Sequence, residues 1–132
     1  MSDVVEDAPA RRVRQRKRHV VATRDELPPG ARKIVKLGLR EIGLFRVGDE
    51  LYAVANICPH HMAPLCLGAL TSEMTAGPGR EFRLEREGMI LRCPWHQFEF
   101  DIESGRNLAD GNKYRVAVYP TAWEGDEAVV YV

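Results

Sequence analysis

Apolar residues come in short runs from about position 19 onward, and turn-forming residues separate the runs. Ile42-Gly43-Leu44-Phe45-Arg46-Val47 is followed by Gly48-Asp49-Glu50 and then by Leu51-Tyr52-Ala53-Val54-Ala55, the pattern of two strands around a tight turn. Three more hairpins are predicted. Phe82-Arg83-Leu84 meets Met89-Ile90-Leu91-Arg92 through Glu87-Gly88, and Phe98 to Ile102 turns at Ser104-Gly105. Tyr114 to Tyr119 leads through Trp123-Glu124-Gly125-Asp126 into Ala128-Val129-Val130-Tyr131. Val116 and Val118 alternate with Arg115 and Ala117, as on a half-buried strand. Leu27-Pro28-Pro29-Gly30 marks a turn ahead of Lys33-Ile34-Val35-Lys36-Leu37. Helical periodicity is nowhere sustained, so the expected fold class is all-β.

Two stretches break the pattern. Residues 1–18 lack apolar periodicity and are expected to form a basic, disordered arm ahead of one domain at 19–132. Residues 71–81 are small, polar and glycine-rich, and read as a loop. A chain of 132 residues has room for one core, and 45% hydrophobic residues is ordinary for a globular protein. Its 19 basic and 19 acidic residues balance, so the average charge gives no pull toward nucleic acid or a membrane. The distribution is less even, because six cations crowd between Arg11 and Arg18. Three cysteines is an odd number, which favours reduced thiols over a secreted disulfide framework. Arg11-Arg12 is not followed by an apolar stretch of signal length. A soluble, cytoplasmic protein with no membrane partner is the expectation.

Most of the thiols and imidazoles lie in two compact groups, Cys58-Pro59-His60-His61 and Cys93-Pro94-Trp95-His96, each where a predicted strand gives way to a turn. Free cysteine often serves as a small buried hydrophobe, and one such group could arise by chance. Two groups with a proline at the same offset, Pro59 and Pro94, point instead to two turns converging on one inorganic centre. Zinc and iron both accept two thiolates and two imidazoles. A two-cysteine, two-histidine zinc site commonly segregates its cysteines from its histidines, whereas Cys58-x-His60 and Cys93-x-x-His96 each mix the two types. Mixed pairs suit a dinuclear centre in which one iron takes the thiolates and the other the imidazoles.

Cys-Pro-His-His-Met-Ala-Pro-Leu (58–65) and Cys-Pro-Trp-His-Gln-Phe-Glu-Phe-Asp (93–101) resemble the two boxes of the Rieske 2Fe-2S family, and the hairpin-rich body resembles the rest of that domain. The resemblance implies a Rieske sandwich of antiparallel sheets with two cluster-binding loops at one tip. It implies one 2Fe-2S cluster, with Cys58 and Cys93 on the inner iron and His60 and His96 on the outer one. His61 is the competing ligand, and His60 is assigned by the family spacing. Two departures stand out. Met62 and Gln97 occupy positions where the family usually has glycine, so both loops must bend without the permissive residue. Rieske proteins of cytochrome complexes carry a disulfide between the loops, but Trp95 stands where the second cysteine would be, which leaves Cys66 as a buried free thiol.

The function implied is that of a Rieske-type ferredoxin, a one-electron carrier that is not catalytic alone. A flavin-dependent reductase would be its donor and an oxygenase or other terminal oxidoreductase its acceptor. The chain is similar also to the small Rieske subunit of assimilatory nitrite reductase. Two thiolates and two imidazoles raise the potential relative to four thiolates. Phe98 and Phe100 stand where relatives place sulfur-bonding hydroxyls, which sets an expectation at the low end of the Rieske range. Pro59, Pro64, Pro94 and Trp95 are expected to shield the cluster. A terminal oxygenase needs two further histidines for a mononuclear iron, and the residues after His96 contain none. The alternative of another class is a metal-stabilised regulatory or binding module whose arm contacts phosphates, although no base-reading element follows the arm.

Overall fold

The computed structural model describes residues 16–59, 62–76, 82–95 and 97–132, with 73–76 and 82–86 described by their backbone alone. Ten strands are formed among them: β1 Arg18–Thr23, β2 Arg32–Leu37, β3 Arg40–Val47, β4 Glu50–Ala55, β5 Ala69–Ala76, β6 Phe82–Arg92, β7 Glu99–Asp101, β8 Val118–Tyr119, β9 Thr121–Glu124 and β10 Glu127–Tyr131. A 3-10 turn, Leu65–Leu67, precedes β5. The strands make three sheets, ordered β1-β10-β9, β2-β3-β4-β8 and β5-β6-β7. Every pairing is antiparallel, as the all-β reading requires. No helix among the described residues is long and apolar enough to cross a membrane.

The β2-β3-β4-β8 sheet is the middle layer, and period-two alternation divides its side chains between two cores. Ile42, Leu44, Leu51 and Ala53 pack with Leu27, Ala128 and Val130 toward the β1-β10-β9 sheet. Phe45 and Val54 face the other way, toward Leu91 and Phe100 of the β5-β6-β7 sheet and toward Cys58, Cys66 and Cys93. β3 therefore runs buried on both faces from Ile42 to Arg46. Arg46 is tolerated there because Nη1 donates to Leu27 O at 3.0 Å, Nε to Gly48 O at 2.9 Å and Nη2 to Asp49 Oδ1 at 2.9 Å.

The predicted β3–β4 hairpin is present, with Gly48 at a positive φ of 62°. The turn at Gly125, φ 61°, is present too, but the strand it joins to β10 is Thr121–Glu124 and not Tyr114 to Tyr119; of the latter only Val118–Tyr119 is strand, and it pairs with β4. Three further expectations need correction. Arg18 lies in β1, and Lys17 exchanges backbone hydrogen bonds with Val132 at 2.9 and 3.0 Å, so the ordered body begins before residue 19. The expected disorder of the arm falls on 1–15, outside the described residues. Residues 71–76 are not loop but strand β5, paired along β6; 77–81 also lie outside the described residues. Glu87-Gly88 is not a hairpin turn either. β6 is one strand of 11 residues, and its register against β5 slips between Thr71↔Ile90 and Glu73↔Glu85. Extra residues on β6 bulge out there, Gly88 takes φ 70°, and its N–H reaches Ser72 Oγ at 3.3 Å.

Candidate metal centre at the two cysteine loops

Loop one leaves β4 through Asn56 and Ile57 and runs from Cys58 to Ala63; loop two spans Cys93 to Phe98 between β6 and β7. They are the same turn built twice. Cys58 N–H donates to Ala63 O at 2.8 Å and Met62 N–H to Cys58 O at 2.7 Å. In loop two Cys93 N–H donates to Phe98 O at 2.7 Å and Gln97 N–H to Cys93 O at 2.9 Å. Met62 (φ 59°) and Gln97 (φ 58°) hold the equivalent left-handed positions and are the non-glycine residues with positive φ among the described residues. Both loops thus bend without glycine, at the two places where the sequence departs from the family pattern.

What brings the loops to one end is strand register. Ala69, which opens β5 soon after loop one, pairs with Arg92, the residue before Cys93. Gly68 lies so close to Arg92 O that a side chain there would collide with the carbonyl, and no larger residue permits this approach. Arg32 reaches across from β2, donating from Nη1 to Cys66 O at 3.0 Å and to Gly68 O. Asn56 clamps the other side: Oδ1 accepts from Cys66 N–H at 2.7 Å and Nδ2 donates to Glu41 Oε1 at 2.7 Å. Across the base of loop two Arg92 Nη2 meets Glu99 Oε2 at 3.0 Å, and Leu91 pairs with Phe100.

The result places Cys58 and Cys93, 0% and 1% exposed, in one buried cluster with Ala63, Leu65, Leu91 and Phe100. Two buried thiols on matched loops fit a shared metal centre, the chemistry the donor set offers. His60, His61 and His96 lie outside the described residues. The residues expected as a shield divide: Pro64 is half-buried, while Pro59, Pro94 and Trp95 stand exposed at the rim. His19 is half-buried on β1 opposite Val130, rather than freely exposed.

Cys66 is buried and unbridged, as expected. Its Sγ lies 3.5 Å from Val54 O and 3.6 Å from Ala55 O, and burial pushes the thiol up to about 12. Phe98 and Phe100 pack with ring centroids 6.4 Å apart, and Tyr114 meets Phe98 edge-on at 5.3 Å. Sequence reasoning missed Arg32, Asn56, Gly43 and Gly68, which position the loops without touching a metal. None carries a local signal, because each acts on a partner distant in the chain.

Comparison with known proteins agrees with this geometry. Residues 17–120 match the Rieske [2Fe-2S] domain. The ferredoxin component of the naphthalene 1,2-dioxygenase system of Pseudomonas aeruginosa is 30% identical over 105 residues, covering 80% of this chain and 86% of that protein. Among solved structures, the ferredoxin of carbazole 1,9a-dioxygenase from Nocardioides aromaticivorans IC177 superposes with a TM-score of 0.65 at 27% identity, over 86% of this chain and 96% of its own. A nitrite reductase small subunit from Mycobacterium tuberculosis shares the fold, with a TM-score of 0.66 at 23% identity over 89% and 96% of the two chains. Matched loops, buried thiols and this span of similarity lead to one assignment: the chain belongs to the Rieske [2Fe-2S] domain family.

Proposed function

We propose that this chain is a Rieske-type ferredoxin, a one-electron carrier that works between a reductase and a terminal oxygenase and is not catalytic alone. The observation that carries the reading is the duplicated loop that buries Cys58 and Cys93 together. Relatives named as ferredoxin components of dioxygenase systems support it. In this reading Cys58 and Cys93 hold one iron of a 2Fe-2S cluster, and His60 and His96 hold the other. When bound, the cluster accepts and releases a single electron, with imidazole ligation raising its potential relative to four thiolates.

The chain's own residues supply position and exclusion of water. Leu65, Leu91 and Phe100 close the site from the core side, and the exposed loops form the side from which electrons enter and leave. A flavin-dependent reductase is the proposed donor. The nitrite reductase subunit is alike in fold at 23% identity and carries no separate functional argument.

The test is anaerobic purification followed by visible and electron paramagnetic resonance spectroscopy. A red-brown protein that gives a Rieske signal on reduction is the expected result. A colourless protein containing zinc would overturn the reading.

A further inference from the structure

Residues 56–68 and 93–98, which include both loops, contain no Asp, Glu, Lys or Arg, although those types make up 29% of the chain. Several charges on the flanking strands are engaged internally: Arg92 with Glu99, Glu41 with Asn56, and Arg32 with Cys66 O and Gly68 O. The same end carries Ile57, Met62, Leu67 and Trp95, which are 42%, 73%, 63% and 60% exposed. The other two large apolar side chains exposed among the described residues, Val20 and Leu39, lie on β1 and on the β2–β3 turn.

Met62 is the informative member. Its backbone adopts a left-handed conformation that favours glycine, at a cost of about 1 kcal/mol for an L-residue. Its side chain then projects into solvent and contributes little burial within the chain. A local rule broken with no return to folding marks a residue kept for something outside the fold. Methionine adapts to an irregular apolar surface, and tryptophan is the residue type most enriched among binding hot spots.

We infer that Met62 and Trp95 are the specificity-determining residues of an uncharged docking face, and that the electron acceptor meets them with an apolar hollow rather than a ring of charge. The inference rests on the carrier reading above and adds the chemistry of the partner. Because neither loop carries a formal charge, association is governed by apolar burial and is insensitive to salt.

The test uses the cluster-loaded protein and, as probe acceptor, the terminal oxygenase of the Nocardioides carbazole 1,9a-dioxygenase. Affinity is measured by titration calorimetry, and reoxidation of the reduced protein by stopped flow. Wild type, Met62→Gly, Trp95→Ala, Trp95→Phe and the remote control Val20→Thr are compared. Trp95→Ala is expected to raise Kd about tenfold and Met62→Gly about fivefold, with Trp95→Phe restoring most of the loss. Val20→Thr should be neutral, and all five proteins should keep the same visible spectrum.

Raising salt from about 0.05 to about 0.5 M should change the wild-type Kd by less than about threefold. A tenfold salt effect with unchanged Met62→Gly and Trp95→Ala affinities overturns the inference and leaves the carrier reading standing. Self-association of the wild type, lost in Trp95→Ala, assigns the face to a second copy and also overturns it. If ferricyanide reoxidises the wild type but the oxygenase does not, the carrier-to-oxygenase reading itself fails.

Discussion

Met62 and Gln97 occupy the same place in two different loops. Each has a φ close to 60°, and each donates its amide to the carbonyl of the cysteine four residues earlier, at 2.7 and 2.9 Å. The loops are therefore one turn used twice, and the cysteines at their starts are equivalent as well. In the proposed reading that equivalence is what lets two thiols serve one centre from separate strands.

Glycine at either position should stabilise the protein slightly. A left-handed L-residue costs roughly 1 kcal/mol, and the greater freedom of glycine in the unfolded chain returns roughly half of that. Met62→Gly and Gln97→Gly should each raise stability by about 0.5 kcal/mol, additively. Valine is stiff at χ1 and resists the left-handed region, so Met62→Val and Gln97→Val should each lose about 1–2 kcal/mol. Thermal unfolding of the six proteins, wild type and double glycine variant included, checks the order.

The proposed ligands make a sharper contrast. Cys58→Ser, Cys93→Ser, His60→Ala and His96→Ala should each abolish the visible absorption of the cluster, because a four-ligand site has no spare donor. His61→Ala should keep its colour. A bleached His61→Ala beside a coloured His60→Ala would move the outer ligand by one position.

Much of this was legible in the sequence, and the parts that were not share a cause. The β3–β4 hairpin announces itself because Gly48-Asp49 sits between two apolar runs. Strand β5 does not, because 71–76 carry no alternation, and its pairing with β6 is fixed by residues far along the chain. Glu87-Gly88 was a true signal of left-handed backbone, but sequence cannot distinguish a turn from a bulge when both need φ > 0. Cys58 and Cys93 stood out through their spacing, and the structure buries both in one cluster. Asn56 and Arg32, which hold the loops, were invisible because their partners are Cys66 N–H and two carbonyls, groups that every residue has.

Phe98 and Phe100 bear on the potential. Neither side chain can donate a hydrogen bond to a cluster sulfur, so the midpoint should fall in the lower part of the Rieske range of about −150 to +300 mV, and below zero. Phe100 is fully buried in the same cluster as Cys93, which makes Phe100→Tyr the informative substitution. The added hydroxyl should shift the midpoint upward in protein-film voltammetry. A wild-type value well above zero would reject this account.

Cys66 should behave as an inert thiol. Burial lifts its pKa from 9.0 to about 12, so the folded chain keeps a proton that the unfolded chain releases. A folded-state pKa raised in this way gives stability that is complete below about pH 9 and declines as pH climbs from 9 toward 12. Iodoacetamide should leave Cys66 unlabelled in the native protein at neutral pH and label it at once after denaturation. Cys66→Ala should flatten the alkaline loss of stability.

The packing of that thiol is itself a specific fit. A Cβ at Gly43 would lie 2.5 Å from Cys66 Sγ and 3.1 Å from the Phe45 ring, so β3 keeps a notch into which the sulfur fits. Gly43→Ala forces the 3-10 turn that carries Cys66 away from β3 and should cost about 2 kcal/mol, as overpacking does. Cys66→Ala empties the notch and should cost about 1–2 kcal/mol through the cavity it leaves. In the double variant the alanine methyl at 43 occupies the space the sulfur vacated. The combined loss should fall short of the sum by about 1 kcal/mol or more, a coupling that denaturant titration of the four proteins resolves. Simple additivity would mean that the turn is held by Asn56 and Arg32 alone, and that the fit between sulfur and glycine contributes nothing.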